Sequence, residues 1–354
     1  MEKESKNMLI EALNTIEKEK DIPKEVLLEA IETALVAAVK NEYKKSDLVQ
    51  VKIDPETGDI KVLSGYEVVE AVEDEAMRTM QITPEEAAVK FPGKKLAIGD
   101  VAYTEVVPRD FGRIVASKAK QAIVQKIREE ERNQLYDKYA GKEHEVVTGV
   151  VQRINASSIT LNLGKMDALL IESEQIRGET FRPGERVKVY VLEVKNTPKG
   201  PKITVSRTHP DLVKRLFENE VSEVADGTVE IKGISREAGQ RTKMAVYSYN
   251  PNVDPVGACV GVNSSRVNAV VDELRGEKID IINWSPEPEV LIKNALSPAR
   301  VVYVDVNEDE HFARVIVPDH QLCLAIGTGG QNARLAARLT GYKIDIKGES
   351  QVEG

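Results

Sequence analysis

The sequence predicts a multidomain α+β protein: a mixed α/β N-terminal domain over residues 1–138, a small β-barrel over 139–207, two copies of one α/β unit over 208–283 and 284–349, and a polar tail at 350–354. Three observations carry that reading. Near the start, apolar residues recur at helical spacing and then switch to strand-like alternation. Residues 143–207 break into short β-rich runs separated by turn residues. Near the end, a pattern of glycine-containing loop, helix, glycine stop and the strand Lys-Ile-Asp-Ile occurs twice.

In the N-terminal domain, Leu9, Leu13 and Ile16, then Leu27, Ile31, Leu35 and Val39, give two amphipathic helices. They are broken at "KDIPKE", where Pro23 suits a helix's first turn. The stretch "LVQVKIDPETGDIKVLSGYEVVEAV" alternates around a Pro-Glu-Thr-Gly-Asp turn and predicts antiparallel strands. A polar stretch follows. A long helix from about Gly112 to Tyr139 closes the domain, its charged second half reading as a solvated connecting helix.

Five β-rich runs then predict a closed barrel of the OB type, with Gly149 and Gly164 at bends. Such barrels bind single strands through stacked aromatics and cations, yet only Phe181 and Tyr190 are available here. A nucleic-acid barrel and a spacer or protein-contact module both fit.

The duplicated unit is the most informative part. "VGACVGVNSSRVNAVVDELRGEKIDII" at 256–282 aligns with "LCLAIGTGGQNARLAARLTGYKIDIK" at 322–347 on Gly261 and Gly327, with helix stops at Leu274/Gly276 and Leu339/Gly341, glycine being expected at C′. The first copy opens with the helix "DLVKRLFENEV" and two strands; the second begins with two strands around the acidic turn "DVNEDE". That turn lacks the glycine and bidentate glutamate of a calcium loop and reads as a hairpin tip.

Glycines directly before a helix suit a phosphate, because the first helical N–H groups lack partners. No Lys-Ser or Lys-Thr follows, which excludes a P-loop, and Asn332 stands where a dinucleotide fold would need its third glycine. The remaining match is G-x-x-G, the loop by which KH domains clamp a single-stranded backbone. The candidate RNA-contacting residues are Gly327, Thr328, Gly329, Gly330, Gln331, Asn332 and Arg334 in the second copy, and Gly261, Val262, Asn263, Ser264, Ser265 and Arg266 in the first. For Arg266 and Arg334, charge beside the phosphates and a solvated helix face are both open readings.

Charge distribution narrows the partners. The formal charge is −9, and residues 1–75 hold 19 acids against 10 bases, so that segment accounts for it. An acidic N-terminal segment repels nucleic acid and suits a basic protein surface; the near-neutral remainder can bind RNA with moderate affinity. No apolar run of 18 residues and no signal sequence occur, which predicts a soluble, cytoplasmic protein without membrane contact. Cys259 and Cys323 read as buried free thiols, with no metal or cofactor. The four histidines show no catalytic or metal spacing, and no enzymatic motif is present.

An α/β domain, an OB-type barrel and two tandem KH copies of type II, in that order, resemble the NusA family of bacterial transcription elongation factors across almost the whole chain. The resemblance lies in "RDFGRIVASKAKQAIVQKIREEER", "TGVVQRI", "GERVKVYVLEV", "NPNVDPVGACVG", "LRGEKIDIINW" and "DHQLCLAIGTGGQNARLAARLTGYKIDI". It implies an N-terminal domain that docks on RNA polymerase near the RNA exit channel, and S1, KH1 and KH2 domains that form one extended surface for emerging single-stranded RNA. It further implies a monomer that promotes pausing and intrinsic termination and joins other factors in antitermination. The acidic C-terminal repeats of some relatives, and regulation through them, are not expected in a chain ending "KGESQVEG". In the family the first KH loop normally has a second glycine, often after a basic residue; here Asn263 and Ser264 stand in its place, which sets the RNA contact of KH1 apart from that of KH2. A general S1/KH RNA-binding protein or ribosome-associated RNA chaperone, acting without polymerase, is the competing function. Polynucleotide phosphorylase carries KH and S1 in the opposite order, behind catalytic domains for which this chain has no room.

Overall fold

A computed structural model describes residues 2–43, 48–72, 77, 78, 80–93, 95–106 and 111–351; of the polar tail, 352–354 lie outside them. The chain divides into two compact units, Met1–Gln134 and Leu135–Gly354.

In the first unit, α1 (Glu2–Lys20) and α2 (Lys24–Tyr43) bury Leu13, Leu27, Ile31, Leu35 and Val39 against β1 (Val49–Ile53) and β2 (Ile60–Val68). Strands β1 and β2 pair antiparallel from Val49↔Ser64 to Ile53↔Ile60, the hairpin expected from the alternation. The polar stretch after it is more ordered than its composition predicts. It holds β3 (Gln81–Ile82), α3 (Pro84–Lys90) and β4 (Val101–Glu105), both strands pairing with β2. A capping box starts α3: the Thr83 hydroxyl accepts from the Glu86 N–H while the Glu86 carboxylate accepts from the Thr83 N–H. Helix α4 (Phe111–Ala140) closes this unit with Val115, Ala119 and Ile123 packed on the same core. Its last turn belongs to the second unit, where Tyr139 is buried in the barrel core and donates to the Leu163 carbonyl (3.0 Å), so that end is not a free solvated helix.

The second unit begins with the barrel β5 (Val146–Ile154), β6 (Ser158–Asn162), β7 (Asp167–Ile171), β8 (Arg186–Thr197) and β9 (Gly200–Ser206), closed in the order β5-β6-β7-β9-β8. Gly149 lies on β5, where a Cβ would meet the Leu161 Cβ at 3.0 Å. Both aromatic candidates of the barrel are occupied. Tyr190 is buried and stacks on His209 (4.6 Å between centroids), and Phe181 is covered by the Arg275 guanidinium at 4.6 Å.

Two α-β-β-α-α-β units follow. The first has α5 (Pro210–Glu220), a short α6 (Ser222–Ala225), β10 (Val229–Glu237), β11 (Arg241–Ser248), α7 (Pro255–Val260), α8 (Ser265–Glu273) and β12 (Lys278–Asn283). The second has α9 (Pro288–Ala295), β13 (Tyr303–Asn307), β14 (Phe312–Val317), α10 (Leu322–Ile326), α11 (Gln331–Thr340) and β15 (Lys343–Gly348). In each, two antiparallel strands are joined by the Lys-Ile-Asp-Ile strand running parallel to the second. This is the KH type II arrangement, and the second copy, like the first, opens with a helix, α9, beyond the two strands expected there. Helix α11 ends at Gly341 (φ 78°) as expected, whereas α8 ends with Arg275 (φ 56°) left-handed before Gly276 (φ 92°).

Buried charged side chains brace the barrel end and the first KH unit, and two of them, Arg207 and Lys243, reach backbone carbonyls of the next unit. Arg207, fully buried, pairs with Glu179 and donates to the carbonyls of Lys188 (2.9 Å) and Glu273 (3.0 Å). Arg236 and Glu277 make a bidentate pair, both bonds at 2.8 Å and both side chains at 0% exposure, with Thr242 and the Gly239 N–H completing the carboxylate's partners. Burial alone would raise the Glu277 pKa, but the Arg236 bonds and charge outweigh it and hold the carboxyl below its usual range. Lys243 is buried, and desolvation lowers its pKa although Asp280 lies 3.0 Å away; it also donates to the Ser297 carbonyl (2.8 Å) across to the second KH unit. Ala245 and Ile282 share a core with Val315 and Ala336 of that unit.

Candidate nucleic-acid interface

The two loops, Gly-Val-Asn-Ser at 261–264 and the G-x-x-G at 327–330, have one backbone shape. Gly261 and Gly327 end helices α7 and α10 at φ 77°, ψ 170° and φ 76°, ψ 168°, and their N–H groups reach the carbonyls of Gly257 and Cys323. After an intervening Val262 or Thr328 come two left-handed residues: Asn263 (φ 52°) and Ser264 (φ 61°) in the first loop, Gly329 (φ 58°) and Gly330 (φ 76°) in the second. Ser265 and Gln331 then start α8 and α11. Asn263 and Ser264 therefore take the glycine conformation without glycine, and the first loop is preformed at the cost of a left-handed serine.

Glycine is required at the first position of each loop for a second reason. A Cβ on Gly261 would meet the Arg266 Cγ at 2.8 Å, and one on Gly327 would meet the Asn332 Cβ at 2.8 Å. Nothing lies within 4 Å of a Cβ built on Gly329, so the loop crest faces open space. In the first loop the crest residue Val262 is 81% exposed.

The flanking side chains are engaged. Arg266 donates to the Glu223 carboxylate (2.9 Å) and to the Ala258 carbonyl (2.7 Å). Asn332, at 3% exposure, donates to the carbonyls of Leu296 (3.1 Å) and Ala325 (3.0 Å), so its amide supports the loop from beneath. Arg334 bonds the Gly329 carbonyl inside the loop and the Glu237 carboxylate of the first KH unit (3.2 Å). Gln331 donates to Glu237 and Gln240, 2.9 Å each. Hydrogen bonds from Gln331, then Arg334, hold the Glu237 carboxyl below its usual pKa despite partial burial. The sequence reading brought both loops forward and missed Glu223, Glu237 and Gln240.

Beside α7 opens a cleft of ≈ 570 Å³ with apolar walls from Val256, Ile281 and Val301 and polar groups from Asn283, Asn294 and Arg300. It is open to solvent, and its walls come from both KH units. Cys259 is buried near the first loop, with burial pushing its thiol up to about 12. Cys323 is exposed on α10, contrary to expectation, because α10 lays that side of its single turn open to solvent.

Comparison with known proteins gives the lineage. Residues 8–133 match a NusA N-terminal domain, 141–206 an S1 RNA binding domain, 207–284 a NusA-like first KH domain and 288–354 a NusA-like second KH domain. The chain is 51% identical over 342 residues to the transcription termination/antitermination protein NusA of Bacillus subtilis (strain 168), covering 97% of this chain and 91% of that protein. The chain belongs to the NusA family. NusA of Halalkalibacterium halodurans is 51% identical (97% of this chain, 89% of that protein), and NusA of Thermus thermophilus is 43% identical (96% and 89%). Within this NusA-family frame, the Asn263–Ser264 pair keeps the backbone shape that Gly329–Gly330 gives the second loop.

Proposed function

We propose that this chain is an RNA-binding transcription elongation factor that docks on RNA polymerase through residues 1–138 and holds single-stranded nascent RNA on its S1 and KH domains. In that role it modulates pausing, intrinsic termination and antitermination, in the cytoplasm, as a monomer and together with other termination or antitermination factors. The observation that carries the RNA part is the pair of equivalent loops, one a full G-x-x-G and one with Asn263-Ser264 in its place, whose matching left-handed backbones each open a helix N-terminus toward a backbone phosphate. Gly327, Thr328, Gly329, Gly330 and Gln331 form the stronger clamp, with Arg334 beside them. Gly261, Val262, Asn263, Ser264 and Ser265 form a weaker one that lacks charge. Asn332 and Arg266 act beneath the loops. The cleft beside α7 accepts bases, its apolar walls against their faces and its amides at their edges. The acid excess of residues 1–75 supports a basic protein surface, not RNA, as the N-terminal partner. The activity is binding, and no catalytic step is assigned.

Gly329→Asp with Gly330→Asp tests the clamp in the full chain. Both positions have left-handed backbones that aspartate tolerates, and Gly329 faces open space, so the fold should persist. Affinity for single-stranded RNA should fall at least about tenfold, since a protein carboxylate replaces a phosphate site. Unchanged affinity in a folded variant removes the loop from the interface.

A further inference from the structure

Three side chains of α11 converge on one carboxylate of the other KH unit. Glu237, the last residue of β10, accepts from Gln331 (2.9 Å), Arg334 (3.2 Å) and Arg338 (2.9 Å). These residues lie on one face of the helix that begins at the second G-x-x-G loop. Arg334 is the pivotal one. One of its nitrogens bonds the Gly329 carbonyl, so its guanidinium lies against the loop, while the Glu237 bonds draw the same group toward the first KH unit. Gln240, on the β10–β11 turn, shares the Gln331 amide and fixes the geometry. Two half-exposed arginines thus divide one largely buried anion.

A carboxylate beside a phosphate-binding loop opposes an anionic ligand unless its charge is spent on a cation, and a cation held by a carboxylate is partly lost to the ligand. We propose that Glu237 restrains RNA binding at the second KH loop by holding Arg334, so that an arriving phosphate must take this arginine over from a carboxylate of the neighbouring KH unit. The inference rests on the reading of that loop as a backbone clamp. Glu237 is a positioning residue and touches no RNA itself. Because it ends β10, the exchange makes occupancy of the second loop felt at the β10–β11 turn of the first KH unit.

The test uses the full chain and a labelled single-stranded RNA of roughly twelve nucleotides, enough for more than one module at about four nucleotides each. Affinity is measured at several salt concentrations for the native chain, Glu237→Gln, Arg334→Gln and the double variant. Glutamine keeps an acceptor for the Gln331 amide and removes the charge. Glu237→Gln should tighten binding roughly two- to fivefold, the scale of one partly exposed ion pair. It should also steepen the salt dependence by about 0.7 in log–log slope, one single-strand phosphate. In the Arg334→Gln background the gain should vanish. Weaker or equal binding by Glu237→Gln, or the same gain with and without Arg334, overturns the proposal and leaves Glu237 as a staple between the KH units or a general repulsive charge. If the glutamine variant does not fold, Glu237→Asp, which shortens the reach to Arg334, is read by the same Arg334-dependent gain. Failure of the underlying reading shows separately, as native affinity in the Gly329→Asp, Gly330→Asp variant.

Discussion

Arg266 and Asn332 stand five residues beyond the first glycine of their respective loops, and each donates a hydrogen bond back to a carbonyl of the preceding helix, Ala258 at 2.7 Å and Ala325 at 3.0 Å. Two unlike side chains thus do one job at equivalent positions. The job is to fasten the short helix before the loop to the longer helix after it, which fixes where the loop's N–H groups point. Arg266 is therefore not the counterpart of Arg334, and its guanidinium belongs to the scaffold and to Glu223.

The same fastening separates the glycines of the second loop. Gly327→Ala would drive a Cβ to 2.8 Å from both the Asn332 Cβ and its backbone nitrogen, and it would place alanine at φ 76°. We expect a loss of about 2–4 kcal/mol, combining overpacking with a positive-φ penalty. Gly329→Ala meets nothing within 4 Å and should cost only about 1 kcal/mol. Denaturant unfolding of the two variants checks the order; equal losses would mean that Asn332 gives way.

In the first loop Ser264 holds φ 61° without being glycine. Ser264→Gly should therefore stabilise the protein by about 1 kcal/mol, seen as a shift in the unfolding midpoint. Adding Asn263→Lys places a cation on a loop that already has the backbone shape of the second. The double variant should tighten binding of RNA long enough to span both KH units and steepen its salt dependence by about one phosphate, with little gain on RNA that fills only the second. Equal gains on both lengths would mark nonspecific attraction.

How far the sequence reaches is visible in these loops. The duplication, the domain order and the strand Lys-Ile-Asp-Ile are local patterns, and the fold follows them closely. Helix α3 carried a readable capping box, Thr83 with Glu86, that the surrounding polarity concealed. Glu237 could not be found in that way: it is separated from Arg334 by 97 residues, and nothing local to either position marks the pair. Tyr190 and Phe181 looked like base platforms by type, but their rings are taken by His209 and Arg275, contacts between sequence-distant elements.

That occupancy sets the barrel's share in binding. Phe181→Ala should change RNA affinity less than about twofold, well below the 1–3 kcal/mol of a true stacking platform. A loss of tenfold or more in a folded variant would mean that Arg275 swings off the ring to admit a base.

Acid sensitivity should centre on the buried Arg236–Glu277 pair inside the first KH unit. Glu277 has its pKa depressed in the folded state, so its contribution is present above the unfolded carboxylate value of about 4.3 and is lost as pH falls through the lower folded value. Asp280, depressed by Arg241 and Lys243 against the opposing effect of burial, adds in the same direction. Unfolding measured between about pH 7 and 3 should show stability falling in the acid range. Glu277→Gln should lower stability at neutral pH by about 3–5 kcal/mol, because Arg236 is left buried without its anion, and should flatten that acid slope. An unchanged slope would assign the acid loss to other carboxylates.

In the function proposed above, one chain holds polymerase at its acidic N-terminal domain and RNA at its KH loops. Crosslinking the full-length protein within a stalled elongation complex, with every crosslinked residue mapped, tests it most directly. Polymerase crosslinks should fall within residues 1–138 and nascent-RNA crosslinks at 261–265 and 327–331, the latter denser. RNA crosslinks confined to residues 1–138, or polymerase crosslinks confined to 139–354, would contradict it.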